Sequence, residues 1–319
     1  MATAFVFPGQ GSQAVGMGRD LAEAFPAARH VFQEVDDALS QKLSRLMWEG
    51  PQEELTLTAN TQPALMAHSL AVVRALEAEG GFVLAERVAL VAGHSLGEYS
   101  ALTAAGAFDI ATAARLLRLR GEAMQKATPS GTGAMAALLG AEIDLAQSIC
   151  TKAATNPETG KAEVVEAAND NGGGQVVISG ARAAVERAIE IARAEGVKRA
   201  MLLPVSAPFH CALMAPAADV MAEALAKADL RAPIVPVVAN VTAAKAIDPV
   251  EIRDLLVKQV TGTVRWRECV AAMAAMGCDR FVEVGAGKVL TGLMKRNAPE
   301  ATALAIGTPA DVEAFLKSL

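Results

Sequence analysis

Residues 88–102 read Val88-Ala89-Leu90-Val91-Ala92-Gly93-His94-Ser95-Leu96-Gly97-Glu98-Tyr99-Ser100-Ala101-Leu102 and set the architecture of the chain. An apolar run comes first, a glycine-bounded turn follows, and a segment rich in alanine and leucine completes the stretch. This order predicts a strand, a sharp turn and a helix. The turn has the pattern G-x-S-x-G, whose small residues let strand and helix approach closely while the serine is exposed at the edge of the sheet.

Ser95 is therefore a candidate nucleophile. Because a helix starts directly after it, free backbone N–H groups lie beside Ser95 at the positive end of the helix dipole, where they favour a developing oxyanion. The N–H of Leu96 is the natural donor. An ordinary serine in a tight turn is the alternative, since G-x-S-x-G alone also occurs by chance.

The amino-acid composition limits the classes of protein to which this chain can belong. A chain of 319 residues that is 52% hydrophobic can bury the core of one large domain, or of a large and a small one. The net charge of −6 argues against a general nucleic-acid binder. No apolar run approaches 18 residues and residues 1–7 do not resemble a signal peptide, so we expect no membrane segment and a cytoplasmic location. The four cysteines lack paired spacing, which predicts neither a disulfide framework nor a metal site.

The first strand, predicted over residues 3–7, leads into the loop Pro8-Gly9-Gln10-Gly11-Ser12-Gln13. Loops at the carboxyl ends of parallel strands line the site of an α/β sheet, so Gln10 is a candidate second oxyanion donor through its backbone N–H. A phosphate-binding loop is the alternative. The glycine spacing, however, matches neither of the common phosphate-binding patterns.

Arg120 is a candidate for holding an acidic substrate. It lies in a helix predicted over residues 110–128, where several arginines could form only a solvated basic face. Gly121, directly beside Arg120, would let a ligand come close, and an arginine fork matches a carboxylate with two hydrogen bonds.

The composition changes after the linker at residues 129–133, and the following elements have the order β-α-β-β-α-β of a ferredoxin-like unit. We therefore expect a ferredoxin-like subdomain over residues 130–203, inserted in a larger α/β subdomain formed by residues 1–129 and 204–319. Elsewhere the patterns predict helical structure over residues 21–49, a helix that starts at Thr61, and a strand and loop over residues 234–241.

His210 is the candidate base, because a serine nucleophile needs a group that takes its proton. It ends a loop stiffened by two prolines and is one of only four histidines. His94 adjoins Ser95 but should point away from it, and His68 is read as structural. No loop acid between Ser95 and His210 fits the role of orienting the histidine, which weakens a hydrolase assignment.

Five motifs, specific in combination and in order, together resemble those of the malonyl-CoA:acyl carrier protein transacylases. They are Phe7-Pro8-Gly9-Gln10-Gly11-Ser12-Gln13, Gly93-His94-Ser95-Leu96-Gly97-Glu98-Tyr99, Arg120-Gly121-Glu122-Ala123-Met124-Gln125, Pro208-Phe209-His210 and Val284-Gly285-Ala286-Gly287-Lys288-Val289-Leu290. The resemblance covers essentially the whole chain. It implies an α/β-hydrolase-like large subdomain with an inserted ferredoxin-like small one, and a site in the groove between them. Ala286, where relatives usually have proline, is a departure that concerns only the stiffness of that turn.

The resemblance also implies roles by position. Ser95 would accept the acyl group, His210 would be general base and acid, and the backbone carbonyl of Gln259 would hold the second nitrogen of His210. The predicted oxyanion donors are Gln10 and Leu96, and the predicted substrate-binding residues are Gln10, Arg120, Met124 and Phe209. The family uses no cofactor; its partners are malonyl-CoA and, transiently, an acidic acyl carrier protein of fatty-acid synthesis. We expect a monomer.

Three alternatives stay open at this point. One is a polyketide-type acyltransferase for methylmalonyl units, against which Phe209 argues because a bulky neighbour of His210 leaves little room for an α-methyl group. Another is a serine hydrolase such as a thioesterase. The third is a non-enzymatic acyl-CoA binding module with an idle serine.

Overall fold

The computed structural model describes residues 2–205 and 207–319 and has two β-sheets flanked by helices. The strands over these residues are β1 (Ala2–Phe7), β2 (Leu90–Gly93), β3 (Gly133–Leu139), β4 (Val165–Asp170), β5 (Gln175–Ala181), β6 (Arg199–Leu202), β7 (Val237–Val238), β8 (Lys245–Ala246), β9 (Cys278–Val284) and β10 (Thr302–Ile306). The α-helices are α1 (Arg19–Ala24), α2 (Pro26–Leu39), α3 (Leu43–Glu49), α4 (Gln52–Thr56), α5 (Thr58–Gly80), α6 (Leu84–Arg87), α7 (Gly97–Ala104), α8 (Ile110–Lys126), α9 (Ile143–Ala153), α10 (Arg182–Ala194), α11 (Ala215–Lys227), α12 (Pro249–Thr261), α13 (Trp266–Ala275), α14 (Val289–Asn297) and α15 (Pro309–Lys317).

The large sheet has the strand order β10-β9-β1-β2-β7-β8, and every neighbouring pair except β7–β8 is parallel. Parallel sheets are covered by helices on both faces, so the side chains that point to either face are apolar. In β1, Phe5 and Phe7 join the core on one face, while Ala4 and Val6 join the core on the other. Phe7 pairs with Gly93, so the loops that follow β1 and β2 start side by side.

The small sheet has the order β4-β5-β3-β6, with every neighbouring pair antiparallel. Its elements follow as β3-α9-β4-β5-α10-β6, which is a ferredoxin-like unit. Ala136 and Leu138 pack in a core shared with α9 and α10, whereas Met135 and Val177 face the groove toward the large subdomain. The predicted fold class, an α/β-hydrolase-like subdomain with an inserted ferredoxin-like one, is confirmed. The boundaries given for the two subdomains stay a prediction.

Hydrogen bonds tie the small subdomain to the large one along one side of the groove. The backbone N–H of Val264 donates to the carbonyl oxygen of Ala168 (2.8 Å), and the carbonyl oxygen of Val264 accepts from the N–H of Asp170 (2.9 Å). Asn297 Nδ2 on α14 also donates to the carbonyl oxygen of Asn171 (2.9 Å). The small subdomain is thus hydrogen-bonded to the segment before α13 and to α14.

The helical prediction for residues 21–49 missed two breaks. Phe25 is extended, and Pro26 starts α2 because a proline at the first helical position gives up no intrahelical hydrogen bond. Ser40 then takes a positive φ of 49° and ends α2 before α3 begins. The prediction was therefore right about the helical structure and wrong about its continuity.

Two further boundaries differ from the prediction. Helix α5 starts three residues before Thr61 and holds Pro63 inside it. Within residues 234–241, predicted as a strand and loop, the strand is only β7, because Pro236 has no N–H for the sheet and the chain turns after Ala239.

Candidate active site

Ser95 lies in the sharp turn between β2 and α7. Its φ of 53° is in the left-handed region, which is unfavourable for a residue with a Cβ and is found at functional sites. A Cβ on Gly93 would lie 1.9 Å from the carbonyl carbon of Gly97, and a Cβ on Gly97 would lie 2.3 Å from the carbonyl oxygen of Phe7. Both glycines are therefore needed for the strand and the helix to meet here.

His210 lies directly against Ser95, with 2.7 Å between its Nε2 and the serine Oγ. Its Nδ1 is 2.9 Å from the carbonyl oxygen of Gln259, which lies in the last turn of α12 where carbonyls lack intrahelical partners. A carbonyl oxygen only accepts, so Nδ1 carries the proton and Nε2 is free to accept the Ser95 hydroxyl proton. The carbonyl thus occupies the place that a carboxylate takes in a Ser-His-Asp triad.

The protonation state of His210 suits a base. Burial and, next, the charge of Arg120 lower the pKa of His210 to about 3. The imidazole is therefore neutral throughout the neutral pH range, in the form that can accept a proton.

Arg120 is 1% exposed and reaches the nucleophile from α8. Its Nη2 donates to Ser95 Oγ (3.2 Å) and to Gln259 Oε1 (3.0 Å), and its Nη1 donates to Gln62 Oε1 (2.8 Å). All three acceptors are neutral oxygens, and the guanidinium also lies over the Tyr99 ring at 5.8 Å. Burial lowers the pKa of Arg120. The site therefore holds a buried cation that a bound carboxylate would complete.

Gln10 and Leu96 lie beside Ser95, on the loop after β1 and at the start of α7. Among the hydrogen bonds of residues 2–205 and 207–319, none uses the backbone N–H of either residue. The Gln10 side chain is held separately, because its Oε1 accepts from Thr58 Oγ1 (3.0 Å). Two backbone donors at the cavity are thus available to an oxyanion.

A cavity of about 240 Å³ joins these groups in the groove between the subdomains. Met135 and Val177 line it from the small sheet, and Val289 and Leu293 line it from α14. The predicted site residues that line it are Gln10, Ser95, Leu96, Arg120, Met124, Phe209 and His210. Gln259 lies behind them, fully buried against Arg120 and His210.

Two buried polar residues of the site had no role assigned from the sequence. Asn240 bridges the serine turn: its Oδ1 accepts from the N–H of Ser95 and its Nδ2 donates to the carbonyl oxygen of Gly93, both at 2.8 Å. Glu98 accepts from the N–H of Asn240, also at 2.8 Å. The sequence offered one signal for each: Glu98 directly follows the second glycine of the motif, and Asn240 is a polar residue at the end of an apolar run.

The structure also bears on two predictions for single residues, the direction of the His94 side chain and the role of Gly121. His94 Nε2 pairs with Asn171 Oδ1 at 2.8 Å, so this ring bonds the small subdomain, as its expected direction away from Ser95 implied. Gly121 does not serve ligand access. A Cβ there would lie 2.6 Å from the Cα of Ala59, so this glycine lets α8 pack closely on α5.

The chain shows no sign of metal or disulfide chemistry where it is described. All four cysteines are free and buried. Within residues 2–205 and 207–319, no group of three or more His, Cys, Asp or Glu side chains is placed to hold a metal ion. Nor does this part of the chain contain a helix of the length and apolarity that crossing a bilayer requires.

Together these groups can perform acyl transfer through a serine ester. One hydroxyl has a neutral imidazole at hydrogen-bond distance, two backbone N–H groups can receive a tetrahedral oxyanion, and a buried guanidinium can pair with a carboxylate.

Comparison with known proteins gives a consistent result over the full length. A family model described as the acyl transferase domain matches residues 4–310. A curated relative from Escherichia coli K12, named malonyl CoA-acyl carrier protein transacylase, is 48% identical over 314 residues, which is 98% of this chain and 98% of the relative.

Solved structures agree. An acyl-carrier-protein-S-malonyltransferase from Bartonella henselae is 54% identical and superposes with a TM-score of 0.95, covering 100% of this chain and 99% of its own. A structure described as a type II PKS acyl-carrier protein in complex with its malonyl-transacylase is 44% identical with a TM-score of 0.94, and covers 100% of both chains.

Proposed function

We propose that this chain, which belongs to the malonyl-CoA:acyl carrier protein transacylase family and is an acyltransferase, transfers malonyl from malonyl-CoA to the phosphopantetheine thiol of acyl carrier protein. The transfer passes through a malonyl ester on Ser95, and the product supplies fatty-acid synthesis. One observation carries the proposal. The guanidinium of Arg120 is buried without a carboxylate partner among the described residues and donates to the hydroxyl of Ser95, next to His210. A malonyl carboxylate held there would place its thioester carbonyl beside the nucleophile.

Loading begins when Ser95 Oγ attacks the thioester carbonyl carbon and its proton passes to Nε2 of His210. The oxyanion that forms is stabilised by the N–H groups of Gln10 and Leu96. When the intermediate collapses, the C–S bond breaks and the departing CoA thiolate takes the proton from His210. The malonyl group is then an ester of Ser95.

Transfer reverses these steps with a second thiol. Neutral His210 takes the proton of the phosphopantetheine thiol, and the thiolate attacks the ester carbonyl of malonyl-Ser95. The second oxyanion uses the same two N–H donors. The C–O bond breaks, Ser95 recovers its proton from His210, and malonyl leaves on the carrier protein.

The low pKa of His210 predicts an unusual pH profile for loading. Because the ring binds a proton only near pH 3, the base form persists below the usual range of an imidazole, whose reference pKa is about 6.5. We expect kcat/KM for malonyl loading, followed by rapid-quench labelling, to show no decline from about pH 8 to about pH 5.5. A decline with a midpoint near the reference value would contradict this assignment of the base.

The carrier is expected to dock at the mouth of the cavity by α14. Val289 lines the cavity and is 50% exposed, and Lys288 directly before it is exposed. Lys295 and Arg296 in the last turn of α14 are exposed as well. This basic rim, on an enzyme of net charge −6, would attract an acidic carrier. Lys198 and Arg199, at the start of β6, are the second candidate patch.

Charge reversal tests the rim. We expect Lys288→Glu with Lys295→Glu to raise the KM for carrier protein about 5- to 10-fold at low salt, an effect that high salt removes because exposed charges are screened. Loading from malonyl-pantetheine, which lacks the CoA phosphates, should be little changed. Lys317→Glu on α15 is the matched control. An unchanged carrier KM in the double variant would place docking elsewhere.

The decisive assay for the proposed reaction follows labelled malonyl from CoA to purified carrier protein. We expect label on the carrier with stoichiometric release of CoA. Steady release of free malonate without carrier would indicate a thioesterase, and the absence of any exchange would indicate a binding module.

The monomeric state and the cytoplasmic location stay predictions.

A further inference from the structure

Glu98 is a buried carboxylate that the mechanism above does not use. It is 1% exposed and lies in the first turn of α7. Its Oε2 accepts from the backbone N–H of Asn240 (2.8 Å) and from Nε2 of Gln259 (3.0 Å). Because removing a carboxylate from water is costly unless a cation or hydrogen bonds compensate, its place beside the nucleophile calls for a physical reason.

The compensating cation is Arg120, which lies one side chain away. Gln259 connects the two charges: its Nε2 donates to Glu98, and its Oε1 accepts from Nη2 of Arg120 (3.0 Å). Glu98 therefore balances the guanidinium without bonding to it. A direct ion pair would occupy the same fork that a substrate carboxylate needs.

Glu98 is able to change its charge near neutral pH. Burial raises its pKa to about 7, although its hydrogen bonds and Arg120 act in the opposite direction. The other titratable groups around it are the Tyr99 phenol on α7 and the Cys269 thiol on α13, and burial raises the pKa of both, so they stay neutral. His210 is neutral as well. Among the described residues that act on Glu98, Arg120 is thus the only other charged group.

We propose that Glu98 is a positioning residue for malonyl recognition, whose carboxylate stabilises the empty Arg120 through Gln259 and takes up a proton from water when a malonyl carboxylate binds Arg120. The inference rests on the proposed function. Two anions then share one buried cation, so the arriving carboxylate favours the neutral form of Glu98. By linkage, neutral Glu98 must in turn favour malonyl binding by the same factor.

The test is the preference for malonyl-CoA over acetyl-CoA, expressed as the ratio of kcat/KM values, as a function of pH. The ratio removes the titration of the CoA phosphates, which both substrates carry. In the wild-type enzyme we expect the ratio to fall about tenfold between about pH 6 and about pH 8.5. In Glu98→Gln, which keeps an acceptor oxygen but has no charge to lose, the ratio should stay flat. A flat wild-type ratio, or an unchanged slope in Glu98→Gln, would overturn the proposal.

Glu283→Gln is the matched control. Glu283 is also a buried glutamate, but it accepts from the N–H groups of Leu290 (3.0 Å) and Thr291 (2.7 Å) at the start of α14. Its replacement should leave the pH dependence of the ratio intact.

A second measurement needs no change at Glu98. Calorimetric titrations of Ser95→Ala near neutral pH, in buffers of different ionisation enthalpy, should show proton uptake on binding malonyl-CoA beyond that on binding acetyl-CoA. Equal uptake would contradict the proposal.

If Arg120→Ala leaves the acyl preference unchanged, the proposed function itself is wrong about the carboxylate site. If Arg120→Ala abolishes the preference while Glu98→Gln keeps the wild-type slope, only the role of Glu98 is wrong.

Discussion

Replacement of Ser95 with alanine is expected to lower malonyl transfer to carrier protein about ten-thousand- to million-fold. In the proposed mechanism the whole reaction passes through one oxygen, which lies 2.7 Å from Nε2 of His210. Without that oxygen the backbone donors and Arg120 still bind substrate, but no ester forms. The measurement is the rate of label transfer from malonyl-CoA to carrier, with binding of malonyl-CoA measured separately to show that the cavity is intact.

Ser12→Ala is the control for the Ser95 variant. Ser12 also lines the cavity, but no histidine bonds to it among the residues that the structure describes. This variant should still accept malonyl. Transfer that survives in Ser95→Ala at more than a small fraction of the wild-type rate would mean that the two thiols exchange the acyl group directly, or through another residue.

Arg120→Ala is expected to lower malonyl transfer about 30- to several-thousand-fold while leaving acetyl transfer equal or higher. The loss reflects a malonyl carboxylate that enters a buried site without its cation. The gain has a separate cause: Arg120 lowers the pKa of His210, so its removal makes that base stronger. In the proposed mechanism a bound malonyl carboxylate would offset the same charge, so Arg120 would both select the acyl group and lower the pKa of His210 when the site is empty.

Two variants sharpen this prediction. Arg120→Lys keeps a positive charge without the planar fork and should fall between the wild type and Arg120→Ala. Arg115→Ala, at an exposed position on the same helix, should behave as the wild type. Equal losses for malonyl and acetyl in Arg120→Ala would rule out recognition of the carboxylate and leave only a structural role for the guanidinium.

The sequence was most informative where local chemistry alone determines local structure. The G-x-S-x-G turn was readable because strand, glycines and helix are contiguous, and the structure gives the same reason for Gly93 and Gly97. The element order β-α-β-β-α-β after residue 133 was readable for the same reason, since elements such as β3 and α9 are contiguous stretches with definite ends.

Contacts between distant parts of the chain were harder to predict. Asn240 supports the serine turn across 145 residues, and Gln259 contacts Glu98 across 161. No local period encodes such pairs; they depend on how β2, β7 and α12 come together. The resemblance to a family supplied the pairing of His210 with Gln259, whereas Glu98 and Asn240 had no role assigned before the fold was known.

Intact-mass analysis of the wild-type enzyme, quenched rapidly after mixing with malonyl-CoA and followed by peptide mapping, shows whether the malonyl group passes through Ser95. We expect one malonyl group per chain, located on Ser95, which disappears when carrier protein is added. An enzyme that stays unmodified while transfer proceeds, or a malonyl group on any other residue, would mean that Ser95 is not the nucleophile.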